Sequence, residues 1–328
     1  FRYLKTRKND GFLNIISIFS FIGISLGVAV LIIVMSVMNG FRTELINKIV
    51  GFNAHVTIKP YEKEIDKKII NNGKLRLLSK NLIFSNSGEA IIFKKKLTKG
   101  IILRGYKNED FSKLEIVTNN DFKGNKNNLS KNFISIGNEL SFDLDLKIGD
   151  KITIMSSSGL QTIIGSLPKQ QVFTIGSIFK SGLAEFDQNV AFINLNKLEN
   201  FFNLDPKDRN LEIYLKKPER VEKIKNSLKE IFDNHHIFTW ADLNTSLFSA
   251  LKVERNVMFI ILSLIIIVAA FNIISGLTIL VKNKTRDIAI LKSIGVLNRS
   301  IIKIFFLVGV IIGTTATLFG IILGVTFS

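Results

Sequence analysis

The sequence predicts an α-helical membrane protein that carries a large α+β domain outside the bilayer. Three uncharged, apolar runs predict the membrane part: residues 11–41, 256–281 and 304–328. Each run exceeds the roughly 20 apolar residues that cross a bilayer and is too long for an ordinary buried helix. The long segment 42–255 shows strand and helix patterns and is large enough to bury a core of its own.

Basic residues beside the runs predict the orientation. The N-terminal segment 1–10 and the loop 282–303 carry many more Lys and Arg than Asp and Glu. Because positively charged flanks stay in the cytoplasm, both segments are expected inside and residues 42–255 outside. The first run lacks the small-residue cleavage site of a signal peptide, so we expect it to remain as a span. The chain ends inside an apolar run, so a fourth span is expected after residue 328.

Composition argues against several functions. The net charge of +17 is partly explained by topology, and no basic patch interleaved with aromatic residues indicates nucleic-acid binding. The absence of cysteine excludes disulfides and thiolate metal sites. A phosphate-binding G-x-x-x-x-G-K-[ST] loop is also missing. His235 and His236 are strand neighbours that face opposite ways, and His55 is distant in sequence. We therefore expect no catalytic residues, no metal and no cofactor in this chain.

Within residues 42–255 the patterns predict two parts. In order, they are a strand at 53–59, a helix at 61–72, strands at 89–95 and 100–106, then a strand at 210–217, a helix at 219–233 and a strand at 236–240. This order indicates a split ferredoxin-like sandwich over 42–106 and 209–255. The interrupting residues 107–208 contain further strand patterns, which predict an inserted small β domain.

Glycine pairs in the apolar runs have the spacing that lets helices approach closely. They are Gly23/Gly27, Gly309/Gly313 and Gly320/Gly324. Generic packing of small residues explains them as well as any one dimer interface does.

Two segments have the character of docking sites. Residues 284–299 form a basic amphipathic stretch, which is typical either of a helix lying on the membrane surface or of a docking helix for a cytoplasmic partner. The second segment is a long predicted loop, residues 156–170. Its apolar residues either dock a partner or fold back onto the domain. They are Leu160, Ile163, Ile164, Leu167 and Pro168.

Two stretches closely resemble a known family. FRYLKTRKNDGFLNIISIFSFIGISLGVAVLIIVMSVMNGF and WADLNTSLFSALKVERNVMFIILSLIIIVAAFNIISGLTILVKNKTRDIAILKSIG resemble the first two spans of the lipoprotein-releasing (Lol) ABC-transporter permeases. These permeases belong to the MacB/FtsX-like superfamily. SVMNG and AAFNIISGL are far more specific than general hydrophobicity. The resemblance implies four spans, three of them present here, and a periplasmic domain with a porter part and an inserted β part. It also implies the bacterial inner membrane as the location.

The resemblance also implies partner proteins and a transport mechanism. Two permease subunits, identical or related, would bind two copies of a separate ATPase that holds ATP and Mg²⁺. Hydrolysis would drive the extraction of an acylated lipoprotein and its transfer to a periplasmic chaperone. Because lipid anchors hold by about 0.8 kcal/mol per buried CH₂, this extraction needs work and an apolar receiver.

The alternatives within the superfamily are an efflux permease and an FtsX-like regulator of cell-wall hydrolases. A membrane sensor is disfavoured, because a third apolar run follows the second after a short loop.

Three sets of residues follow from the resemblance. The coupling helix of the family corresponds to TRDIAILKSIG, so the expected ATPase contacts are Arg286, Asp287, Ile288, Leu291, Ile294 and Gly295. The chaperone-recruiting hook corresponds to GSLPKQQVFTIGSIF, with Pro168 at its end and with Gln170 and Gln171 on a polar pad. Some members carry Arg in place of Gln171. A lipoprotein cavity at the outer ends of the spans would be lined by Met38, Phe41, Met258 and Phe259, although lipid-facing packing explains these four equally well.

Overall fold

A computed structural model describes residues 11–61, 63–94, 97–126, 129, 132–162 and 165–328. The predicted cytoplasmic segment 1–10 lies outside these residues. The chain divides into two compact units. We call Phe1–Thr43 together with Ser246–Ser328 the helical unit, and Glu44–Thr245 the β-rich unit.

Twelve helices and ten strands are assigned in the described residues. The helices are α1 Gly11–Phe52, α2 Gly73–Leu78, α3 Asn108–Phe111, α4 Glu115–Thr118, α5 Asn138–Asp143, α6 Ala184–Asn189, α7 Leu195–Phe202, α8 Val221–Lys229, α9 Trp240–Leu243, α10 Thr245–Asn283, α11 Thr285–Ser293 and α12 Asn298–Phe327. The strands are β1 Val56–Pro60, β2 Ser79–Lys94, β3 Leu97–Tyr106, β4 Lys123–Gly124, β5 Phe133–Gly137, β6 Lys151–Thr162, β7 Gly165–Phe179, β8 Val190–Asn194, β9 Asn210–Leu215 and β10 His235–Thr239. Single turns of 3₁₀ helix occur at Lys67–Asn71, Pro206–Asp208 and Pro218–Arg220.

The helical unit is built from three helices, α1, α10 and α12, that are long and apolar enough to cross a membrane. Glycines allow their close packing. A β-carbon added at Gly320 would lie 2.6 Å from the carbonyl oxygen of Ser25, and one at Gly309 would lie 2.8 Å from Cδ1 of Leu277. Gly320 therefore lets α12 approach α1, and Gly309 lets it approach α10. Around Gly313, by contrast, no described atom lies within 4 Å of that position.

Four strands of the β-rich unit form an antiparallel sheet in the order β10-β1-β9-β2. The central strand β1 pairs Val56 with Thr239 on one side and with Ile213 on the other. Helix α2 precedes β2, and helix α8 connects β9 to β10. Val56 and Ile58 are fully buried, so one side of this sheet carries a core.

Strand β2 is shared between this sheet and a barrel. Its first half, Ser79–Ser85, pairs with β9, and its second half, Asn86–Lys94, pairs with β3. The sheet then runs through β3, β8, β5, β7 and β6, and β6 pairs back onto Ala90–Phe93 of β2. The six strands therefore close into a barrel, whose core is a single apolar cluster. Its members include Ile92, Leu103, Ile134, Ile136, Ile154, Phe173 and Ile175.

Strand β3 differs from its predicted place. The sequence pattern assigns residues 89–95 and 100–106 to the sandwich and starts the inserted part at residue 107. In the structure residues 89–94 lie in the half of β2 that pairs with β3 and β6, and β3 also pairs parallel with β8, so both segments are barrel strands. A sequence pattern marks a strand but not its partner, which is why this assignment failed.

Both helices predicted around the sandwich are shorter than expected. The described part of residues 61–72 contains only the short 3₁₀ helix Lys67–Asn71, and α2 starts anew at Gly73. The side chain of Asn72 accepts a hydrogen bond from the Lys74 N–H at 2.9 Å and begins this second helix. The predicted helix 219–233 is reduced to α8, which ends at Lys229.

Candidate functional site

Helix α11 is the first candidate contact element, and it is shorter than the predicted helix 284–299. It ends because Gly295 adopts a left-handed conformation with φ of 92°. The N–H of Gly295 donates to the Lys292 carbonyl at 3.0 Å, and the N–H of Val296 donates to the Leu291 carbonyl at 3.1 Å. These two bonds form a Schellman cap. Gly295, which we predicted as a contact residue, therefore has a structural role as helix terminator.

The apolar side chains of this loop differ in exposure. Ile294 and Leu297 are each 74% exposed and Ile290 is 52% exposed. Ile288 and Leu291, the other predicted contacts, are half-buried. The accessible apolar surface is thus centred on Ile290, Ile294 and Leu297. Leu297 was missed because it follows the Gly295 cap, where helical periodicity no longer applies.

Charged residues surround the start of α11. The Lys284 ammonium lies 3.2 Å from a carboxylate oxygen of Asp287, an ion pair three residues apart. An acidic residue in the first turn also interacts favourably with the helix dipole. Arg286 is exposed. Of the predicted contacts in this loop, Arg286 and Ile294 present the most accessible side chains.

The second candidate element is a β-ribbon, although we predicted a loop over residues 156–170. Strands β6 and β7 stay paired beyond the barrel, with Gly159 opposite Pro168 and Thr162 opposite Gly165. A register shift between Met155 and Gly159 separates the ribbon from the barrel ladder. The backbone of Leu160 lies opposite Leu167. Ile163 and Ile164 lie outside the described residues.

Polar side chains lie where the ribbon joins the barrel. Gln170 is exposed and points its amide nitrogen toward the sulfur of Met155 at 3.7 Å. The amide of Gln171 donates to the side-chain oxygen of Asn132 at 3.4 Å. Val172, which follows them, is 50% exposed. The two predicted pad residues are consecutive on β7, so their side chains face opposite ways, and Val172 lies on the same face as Gln170.

The predicted cavity residues lie on the helical unit. Met38 and Phe41 are on α1, Met258 and Phe259 are on α10, and Phe41 and Phe259 are 56% and 71% exposed. An apolar groove of about 650 Å³ lies elsewhere, between α10 and α12. It is lined by Ile273, Leu277, Phe306, Gly309, Val310, Gly313, Thr314, Thr317 and Leu318.

A buried carboxylate lies where the four-stranded sheet meets the barrel. Glu212 accepts hydrogen bonds from the hydroxyls of Ser85 at 2.6 Å, Tyr106 at 2.9 Å and Tyr214 at 3.0 Å. Burial raises the pKa of Tyr106 and of Tyr214, and the neighbouring carboxylate raises both further. Both phenols therefore stay protonated and donate to Glu212. Sequence reasoning missed this cluster, because its members come from three distant strands.

His55 and His236 each contact other residues of the folded β-rich unit. Burial lowers the pKa of His55 to about 4, and its Nδ1 accepts the Leu215 N–H at 2.7 Å. The ring of His236 packs edge-on against Tyr61, with 4.7 Å between centroids. Within the described ranges, no three His, Asp or Glu side chains come together in a way that could hold a metal ion.

Comparison with known proteins relates both units to permeases. Residues 17–231 match the MacB-like periplasmic core domain, and residues 259–328 match the FtsX-like permease C-terminal region. A solved structure similar to this chain is the periplasmic region of MacB from Actinobacillus actinomycetemcomitans. It is 9% identical and has a TM-score of 0.36, and the match covers 60% of this chain and 94% of that one.

Two relatives match almost the whole chain. The lipoprotein-releasing system transmembrane protein LolC of Neisseria meningitidis serogroup B is 30% identical over 331 residues, covering 99% of this chain and 80% of the relative. The corresponding LolE of Haemophilus influenzae is 27% identical over 337 residues, with 99% and 80% covered.

These matches define the class of protein as a membrane permease of the MacB/FtsX-like superfamily with a periplasmic core domain. Within this superfamily, the chain belongs to the family of lipoprotein-releasing system transmembrane proteins. The resemblance noted in the sequence is confirmed.

Proposed function

We propose that this chain is the permease subunit of an ABC transporter that extracts outer-membrane-directed lipoproteins from the bacterial inner membrane. The observation that carries the proposal is the match to lipoprotein-releasing system transmembrane proteins over nearly the whole chain. The chain is a non-catalytic subunit. A partner ATPase, in two copies, binds ATP and Mg²⁺, and a second permease subunit, identical or related, completes the transporter.

The proposed topology has the β-rich unit in the periplasm. The sheet order β10-β1-β9-β2, with α8 between β9 and β10, supports a split ferredoxin-like porter part. The barrel is the inserted part. Because β2 belongs to both sheets, the boundary between the two parts runs along this strand rather than through a linker.

Helix α11 and its cap are the proposed docking element for the ATPase. An apolar surface on a short, charged, exposed loop suits insertion into a groove on a cytoplasmic partner. Ile294 is the proposed anchor, with Ile290 and Leu297 beside it, and Arg286 contributes charge at the rim. The Gly295 cap ends α11 between Ile294 and Leu297, so both side chains flank this turn.

The β6–β7 ribbon is the proposed hook for a periplasmic lipoprotein chaperone. A paired ribbon is stiffer than a loop, so it presents its tip to a partner at low entropic cost. The proposed pad residues at its base are Gln170 and Val172 on one face of β7 and Gln171 on the other. Met38, Phe41, Met258 and Phe259 are the proposed lining for the acyl chains of the cargo.

Release in a reconstituted system tests the proposal. The full-length protein and its cognate ATPase are placed in proteoliposomes with a triacylated lipoprotein, and a soluble periplasmic chaperone is added. We expect lipoprotein to appear in complex with the chaperone when ATP is present, and not with an ATPase that cannot hydrolyse ATP. ATP hydrolysis without release of the lipoprotein would instead indicate an efflux permease or a regulator of cell-wall hydrolases.

A further inference from the structure

Exposed apolar side chains lie at one end of the barrel and belong to none of the sites above. Phe142 on α5, Leu97 at the start of β3 and Ile148 in the turn before β6 are 81%, 52% and 48% exposed. Phe142 is the most exposed large apolar side chain among the described residues. We call these three residues the end patch.

The three elements that carry the end patch meet at the same end of the barrel. Strand β2 runs antiparallel to β6, so the turn between β2 and β3 lies beside the start of β6. Lys99 of β3 forms an ion pair with Asp143 of α5, and the Lys94 ammonium lies 3.4 Å from a carboxylate oxygen of Asp150. The β6–β7 ribbon continues from the other end of the barrel ladder, so the end patch is separate from the proposed hook.

Helix α5 presents Phe142 from a well-packed position. Leu140 and Leu144, on either side of it, are buried in the barrel core at 0% and 4% exposure. The helix ends at Asp145, which has a left-handed φ of 46° and whose N–H donates to the Phe142 carbonyl at 3.2 Å. Because the buried leucines supply the core contacts, the exposed ring adds little to folding. A rigid, exposed aromatic ring is typical of the anchor residue of a protein interface.

The charges around the end patch are mainly positive. Segments 94–99 and 143–151 together contain six lysines and three aspartates, a surplus of three positive charges. Two of the aspartates form the ion pairs described above, whereas Lys147 and Lys151 are exposed beside Ile148. An apolar centre with a basic rim complements an acidic surface that carries an apolar side chain.

We propose that the end patch docks an acidic segment of a partner protein, which packs an apolar side chain against Phe142 and places carboxylates near Lys147 and Lys151. Docking of a second copy of this chain through the same patch would bring two basic rims together, which is unfavourable. An anionic bilayer would face the aspartates as well as the lysines, whereas a protein segment can place its carboxylates opposite the lysines alone. The proposal depends neither on the cargo of the permease nor on the hook.

Peptide binding tests the proposal. The full-length protein is held in phosphatidylcholine nanodiscs and titrated with a fluorescein-labelled acidic peptide, EEFLEELE, or its basic counterpart, KKFLKKLK. We expect the acidic peptide to bind about tenfold more tightly or better, and its affinity to fall as salt screens the exposed charges. Phe142→Ser and the double variant Lys147→Glu/Lys151→Glu should each weaken its binding by about tenfold or more.

Matched controls alter residues of the β-rich unit outside the end patch. Leu77→Ser removes a side chain that is 76% exposed, and Lys223→Glu/Lys229→Glu reverses two exposed charges on α8. Both controls should bind the acidic peptide as the wild type does.

Three kinds of result would overturn the proposal. The first is no binding of the acidic peptide, equal affinity for the two peptides, or unchanged affinity in Phe142→Ser. The second is a wild-type dimer, measured by light scattering in detergent, that Phe142→Ser abolishes, because the patch would then bind a second copy of this chain. The third is displacement of the acidic peptide by phosphatidylglycerol vesicles but not by phosphatidylcholine vesicles, which would assign the patch to a membrane surface.

Discussion

The guanidinium group of Arg104 lies over the aromatic ring of Phe52, with 5.6 Å between Cζ and the ring centroid. Phe52 is the last residue of α1 and also stacks on Phe186 at 4.3 Å. Burial alone would lower the pKa of Arg104, but its interactions with Tyr106 and with the carboxylate of Glu212 raise it. Arg104 therefore stays charged inside the β-rich unit and balances the buried carboxylate.

Removal of this cation should destabilise the β-rich unit. Arg104→Met removes the contact with the Phe52 ring and a positive charge that interacts with Glu212, which costs about 1–2 kcal/mol. We expect a fall in Tm, measured by fluorescence of the single tryptophan, Trp240, in the full-length protein. The double variant Arg104→Met/Glu212→Gln should regain most of the loss. As a control, Lys99→Met breaks a part-exposed ion pair with Asp143 and should change Tm little. A wild-type Tm for the single variant would refute the charge balance.

The pH dependence of stability should carry a contribution from His55. Its pKa is about 4 in the folded protein, because of burial, against an ordinary value of 6.5 in the unfolded chain. The unfolded state therefore binds the proton first as the pH falls. The contribution of His55 is complete above pH 6.5 and is lost toward pH 4, by about 3 kcal/mol.

The check is to compare unfolding of the wild type and His55→Gln between these pH values. Gln can still accept the Leu215 N–H but does not titrate, so the variant should show a flatter pH profile. Trp240 is a good reporter, because its backbone N–H donates to the backbone carbonyl of His55 at 3.1 Å. His236→Gln, at an exposed position of β10, is the matched control. Parallel profiles for wild type and His55→Gln would contradict the assignment.

Local patterns predicted most strands and the three spans, but not the first part of β2, residues 79–88, or the pairing of distant strands. Strand patterns at residues 133–137 and 189–194 predict β5 and β8, which pair antiparallel at Ser135 and Phe192. The parallel pairing of β3 with β8 and the return of β6 onto β2 have no local signature. Barrel closure depends on these non-local contacts. The sequence therefore predicted an inserted β part but not that its strands close into a barrel.

Local composition was misleading at two candidate sites. The Ser, Gly and Pro content of residues 156–170 is typical of a loop, yet cross-strand pairing with a register shift keeps the segment as a ribbon. Glu212 alternates with Leu211 and Ile213, which predicts an exposed side chain, but three hydroxyl donors satisfy it in a buried place. The Ser85 and Tyr106 donors to Glu212 are far away in sequence, whereas the ribbon pairs residues that are close in sequence.

Two glycines of α12 should respond differently to the same substitution. Gly320→Ala forces a methyl group against the Ser25 carbonyl, close to the buried hydrogen bond from the Ser25 hydroxyl to the Ala316 carbonyl at 2.9 Å. The expected cost of this overpacking is about 1–3 kcal/mol. Gly313→Ala meets no described atom within 4 Å and should be tolerated. Thermal stability of the full-length protein in detergent, followed by size-exclusion chromatography, measures the difference. Equal losses for both variants would contradict this packing of α12.

Binding of the ATPase should depend on the apolar surface of α11. Ile294→Asp places an unpaired charge in the proposed interface and should weaken association by about 100-fold or more. Leu291→Asp should also abolish association, but Leu291 is half-buried, so Ile294 gives the cleaner test. Ser293→Asp adds the same charge at a neighbouring exposed position and serves as the control. Co-purification with the ATPase measures the effect, with membrane insertion checked separately. If Ile294→Asp co-purifies with the ATPase as the wild type does, α11 is not part of the interface.

Chaperone recruitment should require the β6–β7 ribbon but not the barrel beneath it. Residues 157–168 can be replaced by an Asn-Gly turn. The remaining part of β6, residues 151–155, still pairs with residues 170–174 of β7 and closes the barrel. We expect this variant to lose chaperone binding, measured by titration with the purified chaperone, while its association with the ATPase is unchanged.

The pad at the ribbon base is tested separately from its tip. The double variant Gln170→Ala/Gln171→Ala keeps the ribbon and removes two side-chain amides. Among the described residues, the Gln171 amide donates a hydrogen bond to the Asn132 side chain. Neutral amides at a rim contribute little, so we expect a loss of affinity of about tenfold or less. If the double alanine variant loses more chaperone affinity than the variant without the ribbon, the docking site lies on the barrel surface around Val172 instead.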